Sequence, residues 1–320
     1  MDLLASKLEF LDILQEALSL PFNSIRFIIF SALTSFPFFC FSLFFNLTLQ
    51  QSVLQIYASL WHSQQIQTAF SKLVQLGLLY LVPYHLLQFL SVATTVDMAT
   101  RLYDGENLGG SSLRDFLGRP LCRNGIKGPF VTFMYSVLLS ASTLLGLLWI
   151  AANCFFVIKL FDSPLDYYHY YDDDYYYYYN WSGVSLLLNS AIIGVHGVAF
   201  VALLSKYVEW GGGWNASVVV SILGEEYGNE AFEVSAYFTR GSQFRGGMLM
   251  FVFFAWGVVL RLPCLFGGWS VVGNHVGFLL AFLGTALICV VNVIKWVVCA
   301  VYFFDCKRRI LEKKIDGEHV

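Results

Sequence analysis

Apolar residues gather in six long blocks along the chain, with polar stretches between them. The blocks cover roughly 26–46, 73–96, 129–158, 184–205, 247–266 and 275–304. About 20 apolar residues cross a hydrocarbon core as a helix. Lipid satisfies no backbone polar group, so each block must be helical. The third and sixth blocks exceed that length and are expected to tilt or to run past the bilayer. Ahead of them, Leu3, Leu4, Leu8, Leu11, Leu14 and Leu18 recur at helical spacing with polar residues on the opposite face. That pattern predicts an amphipathic helix over 1–20 lying on the membrane surface, broken at Pro21. The expected fold is all-α. It is a single integral-membrane domain, a polytopic helical bundle of about six transmembrane helices with interfacial amphipathic helices, and 305–320 forms a basic tail.

Composition agrees with this pattern. Of 320 residues, 57% are apolar and 13% charged, where a soluble domain carries about 25% charge. The net charge of −3 gives a nucleic-acid partner no electrostatic support. The first residues carry Asp2, Lys7, Glu9, Asp12 and Glu16, unlike a signal peptide. Seven cysteines contain no CxxC pair and read as small buried hydrophobes.

Charge sets an expected orientation. Arg101, Arg114, Arg119, Arg123 and Lys127 follow the second block, and Lys206, Arg240 and Arg245 follow the fourth. The end of the chain holds Lys307, Arg308, Arg309, Lys313 and Lys314, whereas the opposite side holds only Lys72 and Lys159 at block edges. The positive-inside rule therefore puts both termini in the cytosol, in agreement with an even number of spans. The expected location is the endoplasmic reticulum or plasma membrane, with membrane lipids as partners. Possible partners also include other membrane or cytosolic proteins.

Between the third and fourth blocks stands "DYYHYYDDDYYYYYNWSG". His169, Asp172, Asp173 and Asp174 are candidate ligands for a divalent cation, but the run lacks the spaced ligands and turn glycine of a calcium loop. Tyrosine favours the membrane–water boundary and aspartate cannot enter lipid, so the stretch reads as an interfacial, acidic, non-cytosolic loop. Two glycosylation triplets, at Asn46 and Asn180, fall on that side; a third, at Asn215, falls on the other.

Two segments on the cytosolic side echo one another, "RLYDGENLGGSSLRDFLGRPLCRNG" and "GEEYGNEAFEVSAYFTRGSQFRGG". Tyr103 matches Tyr227, Glu106 matches Glu230 and Phe116 matches Phe238. The echo reads as a repeated unit of span, surface helix and span. In the second copy, Ile222, Ala231, Phe232, Val234 and Phe238 offer an interrupted apolar face. Gly241, Gly246 and Gly247 are expected to turn the chain back into the membrane, and Gly211 to Gly213 to bend it out of the fourth span. Glu225, Glu226, Tyr227, Gly228, Glu230, Ser235, Arg240 and Arg245 form the candidate interaction segment.

The stretch "WNASVVVSILGEEYGNEAFEVSAYFTRGSQFRGG", followed by "WGVVLRLPCL", resembles a family of plant six-span membrane proteins of unknown function. More distantly it is similar to the integral-membrane domain attached to some bacterial glycerophosphodiester phosphodiesterases. The resemblance implies a fold and a membrane location. It carries no catalytic residue across, because those enzymes hydrolyse in a separate soluble barrel.

Candidate chemistry is sparse. His85 and His196 are each the thirteenth residue of their blocks and would lie near the bilayer midplane. Two facing imidazoles ligate haem iron or relay protons; the alternative is that each bonds a neighbouring helix. Arg261 and Lys295 are intramembrane cations, and no block has an acid in its central part, which argues against a proton- or cation-coupled carrier. Cys122 and Cys306 lie beside basic residues, a context that suits palmitoylation, and the tail "CKRRILEKK" suits anionic headgroups. There is no GxSxG, HExxH or phosphate loop. The expectation is a non-enzymatic adaptor, assembly or membrane-organising protein without a cofactor. The alternatives are a transporter or channel for a small or lipid-like solute, and a haem-binding redox protein.

Overall fold

A computed structural model describes residues 2–22, 24–59, 66–105, 126–162, 175–266 and 274–315. Among these residues the chain forms eight helices: α1 (Asp2–Phe22), α2 (Ile25–Ser59), α3 (Ile66–Tyr103), α4 (Lys127–Asp162), α5 (Tyr175–Leu223), α6 (Asn229–Thr239), α7 (Gln243–Phe266) and α8 (Asn274–Ile315). Six of them are long and apolar enough to cross a membrane, within Ile25–Leu49, Gly77–Tyr103, Lys127–Lys159, Leu187–Leu223, Gln243–Arg261 and Gly277–Glu312. The protein is an all-α polytopic membrane bundle.

The helices pack unevenly. α2, α3 and α8 form a three-way contact, α7 joins through α8, and α4 packs chiefly on α5. Buried residues concentrate at one end of the bundle. There Val92 and Val96 of α3, Val218 and Val219 of α5, Leu249 of α7, and Val297 and Val301 of α8 make one core. Elsewhere the spans present Leu78, Leu79, Leu145, Trp149, Val195 and Val198 outward, as lipid-facing surfaces do. A buried hydroxyl contact between Ser35 and Ser91 (2.8 Å) joins α2 to α3 within that bundle.

One expectation is corrected here and two gain detail. α1 packs one face on the bundle: Ile13 and Ala17 are buried in the core, with Phe10, Leu14 and Leu20 packed beside them and Leu11 exposed. Packing against the bundle removes these apolar side chains from water. The fourth helix does not end near 205 but continues to Leu223, so Gly211 to Gly213 lie inside α5 and make no exit bend. The last helix likewise runs to Ile315, making most of the basic tail helical.

Candidate functional site

The packed end of the bundle is built around close backbone approach. A Cβ placed on Gly212 would lie 3.1–3.3 Å from the backbone of Gly246, so α5 and α7 cross with almost nothing between them. Small residues permit such crossings, which are then held by dispersion and by polar bonds. Asn215 supplies one across the crossing, its amide donating to Met250 Sδ (3.1 Å), while it also donates to the Gly211 carbonyl of its own helix (2.6 Å).

The short helix α6 sits on this crossing. Its buried stripe is Ala231, Ser235 and Thr239, one residue per turn. The Ser235 hydroxyl donates to the Gly213 carbonyl at 2.9 Å. At the other end the Gly228 N–H donates to Thr132 Oγ1 of α4 at 2.8 Å. Gly228 (φ 62°) and Gly241 (φ 81°) occupy the left-handed region on either side of α6, which favours glycine. The expected apolar face is therefore only partly used: Phe232, Val234 and Phe238 are half-buried, whereas small and hydroxyl-bearing residues make the closest contacts. Gly246 and Gly247 do not turn the chain either. They lie inside α7, and only Gly241 makes the turn.

α7 is tied to α8 by a polar network. The Tyr302 hydroxyl donates to the Ser242 carbonyl (3.0 Å), and the Ser242 hydroxyl lies 3.0 Å from Cys306 Sγ. Arg245 pairs with Asp305 at 3.4 Å, with both side chains nearly buried. Arg309 reaches the same carboxylate at 2.9 Å and Arg308 at 3.4 Å. A second ion pair, Asp97–Arg101 at 2.8 Å, lies near the end of α3. Sequence reasoning missed Ser242, Tyr302, Asp305 and Thr132. The one signal available was Asp305, an acid immediately before a run of cations.

The outward surface contains the rest of the interaction segment. Glu225, Glu226, Tyr227, Glu230, Glu233, Tyr237 and Arg240 are exposed. The Tyr227 ring rests on Gly128 of α4, 3.0 Å from where a Cβ would stand. Glu230, in the first turn of α6, complements the positive helix end. Of the eight residues in that segment, Gly228, Ser235 and Arg245 are buried and act in packing.

The other sequence candidates have varied surroundings. His85 Nδ1 lies 3.2 Å from Gln88 Oε1, and its ring packs edge-on to Tyr84 and Phe133. His196 bonds the Ile192 carbonyl of its own helix at 2.9 Å. The two imidazoles thus have separate Nδ1 partners among the described residues. Asn46, half-buried in α2, donates from its amide to Thr285 of α8 at 3.1 Å, a contact that a glycan on this side chain would displace. Cys306 is not an interfacial thiol open to palmitoylation: it is 1% exposed and inside the Tyr302 network. The echo is not reproduced in its contacts. Tyr103 stacks on Phe304 with ring centroids 4.9 Å apart, whereas Tyr227 rests on a glycine. Glu106, Phe116, Cys122, His169, Asp172, Asp173 and Asp174 lie outside the described residues, as does the side chain of Asn180. Comparison with protein-family models, with curated proteins and with solved structures finds no match to this chain.

Proposed function

We propose that this chain is a non-enzymatic integral membrane protein of adaptor or membrane-organising type. Its partner surface would be the outward face of α6 and the turn before it. The observation behind this reading is the combination of a fixed inner face with an open outer one. Ser235 and Gly228 lock α6 onto α5 and α4, while Glu225, Glu226, Glu230, Glu233 and Tyr237 are exposed, as is Tyr227 beside its contact with Gly128. A rigid surface that carries aromatic and charged side chains binds a partner at low ordering cost.

The distribution of cations supports a cytosolic position for this end and for both termini, in the endoplasmic reticulum or plasma membrane. The resemblance to plant six-span membrane proteins supports the same architecture. Membrane lipids surround the spans, and the partner at α6 is a protein.

Site-specific photo-crosslinking tests the reading. A photoreactive residue at Tyr227 or Tyr237 should give protein adducts of defined mass, whereas one at the lipid-facing Val198 should not. Glu230→Lys with Glu233→Lys should diminish those adducts. Cross-links that go only to lipid at all three positions would sink the proposal.

A further inference from the structure

The turn between α5 and α6 exposes a tyrosine whose hydroxyl is unused. Residues 224–228 are not helical, and Glu225, Glu226 and Tyr227 in that turn are all exposed. The Tyr227 atoms nearest to Gly128 are Cβ, Cγ and Cδ1, 3.0–3.1 Å from where a Cβ on that glycine would stand. The contact therefore uses the root of the side chain and leaves the far end of the ring clear of it. Tyr227 is 58% exposed, and its hydroxyl forms no hydrogen bond among the described residues.

No other tyrosine with a described side chain combines these properties. Tyr302 is buried, with its hydroxyl bonded to Ser242. Tyr80, Tyr84, Tyr103 and Tyr207 are half-buried within their helices. Tyr135 and Tyr237 are exposed but lie inside α4 and α6. An enzyme that modifies a side chain must draw the chain around it into its own cleft. A helical residue reaches that cleft only after several backbone hydrogen bonds open, whereas an exposed turn presents itself at low cost. At Tyr227 the following backbone is held to α4 by one bond, from the Gly228 N–H to Thr132 Oγ1 at 2.8 Å.

The charge around Tyr227 has one sign. Glu225 and Glu226 precede it, and Glu230 and Glu233 follow. All four are exposed, and none is ion-paired among the described residues. Kinases choose substrates by charge patterns of this kind, and a cationic cleft suits an acidic segment.

We propose that Tyr227 is phosphorylated by a protein-tyrosine kinase and that the phosphate loosens the seat of α6 on α4. Tyr227 Oη attacks the γ-phosphorus of a nucleoside triphosphate. The new O–P bond forms as the bond to the β,γ-bridging oxygen breaks. The nucleoside diphosphate leaves with that electron pair, and the phenolic proton passes to the kinase's catalytic aspartate. The phosphate brings a charge of about −1.5 to −2 at pH 7 into an acidic turn, where like charges repel. Lys127, beside Gly128, is one cation against the carboxylates of Glu225, Glu226 and Glu230. The repulsion acts on the turn that the Gly228–Thr132 bond holds. The inference rests on the cytosolic position proposed for this end, and it makes the α6 surface a regulated one.

The test uses the full-length protein in lipid nanodiscs, with the purified catalytic domain of a protein-tyrosine kinase and ATP–Mg²⁺. Phosphopeptide mass spectrometry follows the time course. Tyr227 should be modified roughly tenfold faster than the exposed but helical Tyr237. Glu225→Gln with Glu226→Gln should slow modification of Tyr227 and leave Tyr237 unaffected. Tyr227→Phe is the blank, and it should unfold at the wild-type temperature because the lost hydroxyl made no bond. Hydrogen exchange of the phosphorylated protein should quicken over 228–232 and stay unchanged over the buried stretch 296–301 of α8. A folded protein that takes no phosphate at Tyr227, or takes it equally fast at Tyr237, would overturn the site. Unchanged exchange over 228–232 in fully phosphorylated protein would overturn the loosening. The partner surface is tested by cross-linking of unphosphorylated protein, so the two readings fail separately.

Discussion

The hydroxyl of Tyr302 fills the space that a side chain at Gly246 would need. A Cβ there would stand 2.6 Å from Tyr302 Oη. Tyr302 cannot easily retreat, because it is 2% exposed and its hydroxyl is bonded to Ser242. Gly246→Ala is therefore expected to destabilise the protein by about 1–3 kcal/mol, the range for overpacking a tight interior. Gly197 is the internal control: a Cβ there meets nothing within 4 Å. Gly197→Ala should be neutral or stabilising by up to about 1 kcal/mol, from helix propensity alone. Unfolding in mixed detergent micelles measures both.

The ion pair between Arg245 and Asp305 joins α7 to α8 where water is nearly absent. Removing one member of a buried pair leaves the other charge uncompensated and costs about 3–5 kcal/mol. Asp305→Ala is expected to cost more than Arg245→Ala, because Asp305 also serves Arg308 and Arg309. The double variant Arg245→Met with Asp305→Leu should recover part of the loss. Additive losses in the same assay would show that the pair is not coupled.

Cys306 and Cys40 should both resist thiol reagents in the folded protein, for different reasons. Cys40 faces outward on the spanning part of α2, where lipid disfavours its thiolate, whereas Cys306 is packed against Ser242. Maleimide should label both only after denaturation, as read by peptide mass spectrometry. Acylation of Cys306 in material purified from membranes would contradict this arrangement.

Asn46 and Thr285 should be coupled within the membrane. Their side chains bond at 3.1 Å between α2 and α8. Such interhelical bonds are worth about 0.6 kcal/mol on average and at most about 1.7. Asn46→Ala and Thr285→Val should each lose that order of stability, and the double variant should lose little more than either one. Endoglycosidase treatment should cause no mobility shift attributable to Asn46.

Much of the architecture was readable from hydropathy, because lipid imposes helices on any long apolar block. The block around 129–158 became α4 almost unchanged, with its span at Lys127–Lys159. The misreadings cluster at the packed end. Lys206 was read as following the end of a span, but it pairs with Glu209 on the surface of a helix that continues. Gly211 to Gly213 looked like a bend, because glycine is a poor helix former in isolation. Tertiary contact reverses that preference, since only glycine lets α5 and α7 approach at Gly212 and Gly246. The buried stripe of α6 was only partly read for the same reason. A search for apolar residues finds Ala231 together with Phe232 and Phe238, whereas close packing adds Ser235 and Thr239 to Ala231.

The sequence by itself determined that this is an all-helical membrane protein with six spans, because transfer of backbone and side chains into lipid depends on local composition alone. Which polar residues are exposed and which are structural was decided only by the tertiary structure. Gly228, Ser235 and Arg245 belonged to one polar segment on paper, yet each is buried and bonded, while Tyr227 and Glu230 remain outside. Trp296 was an ordinary residue of an apolar span until packing closed over its indole, which has no acceptor among the described residues. Partners of that kind come from other helices, and no local pattern of residues can specify them.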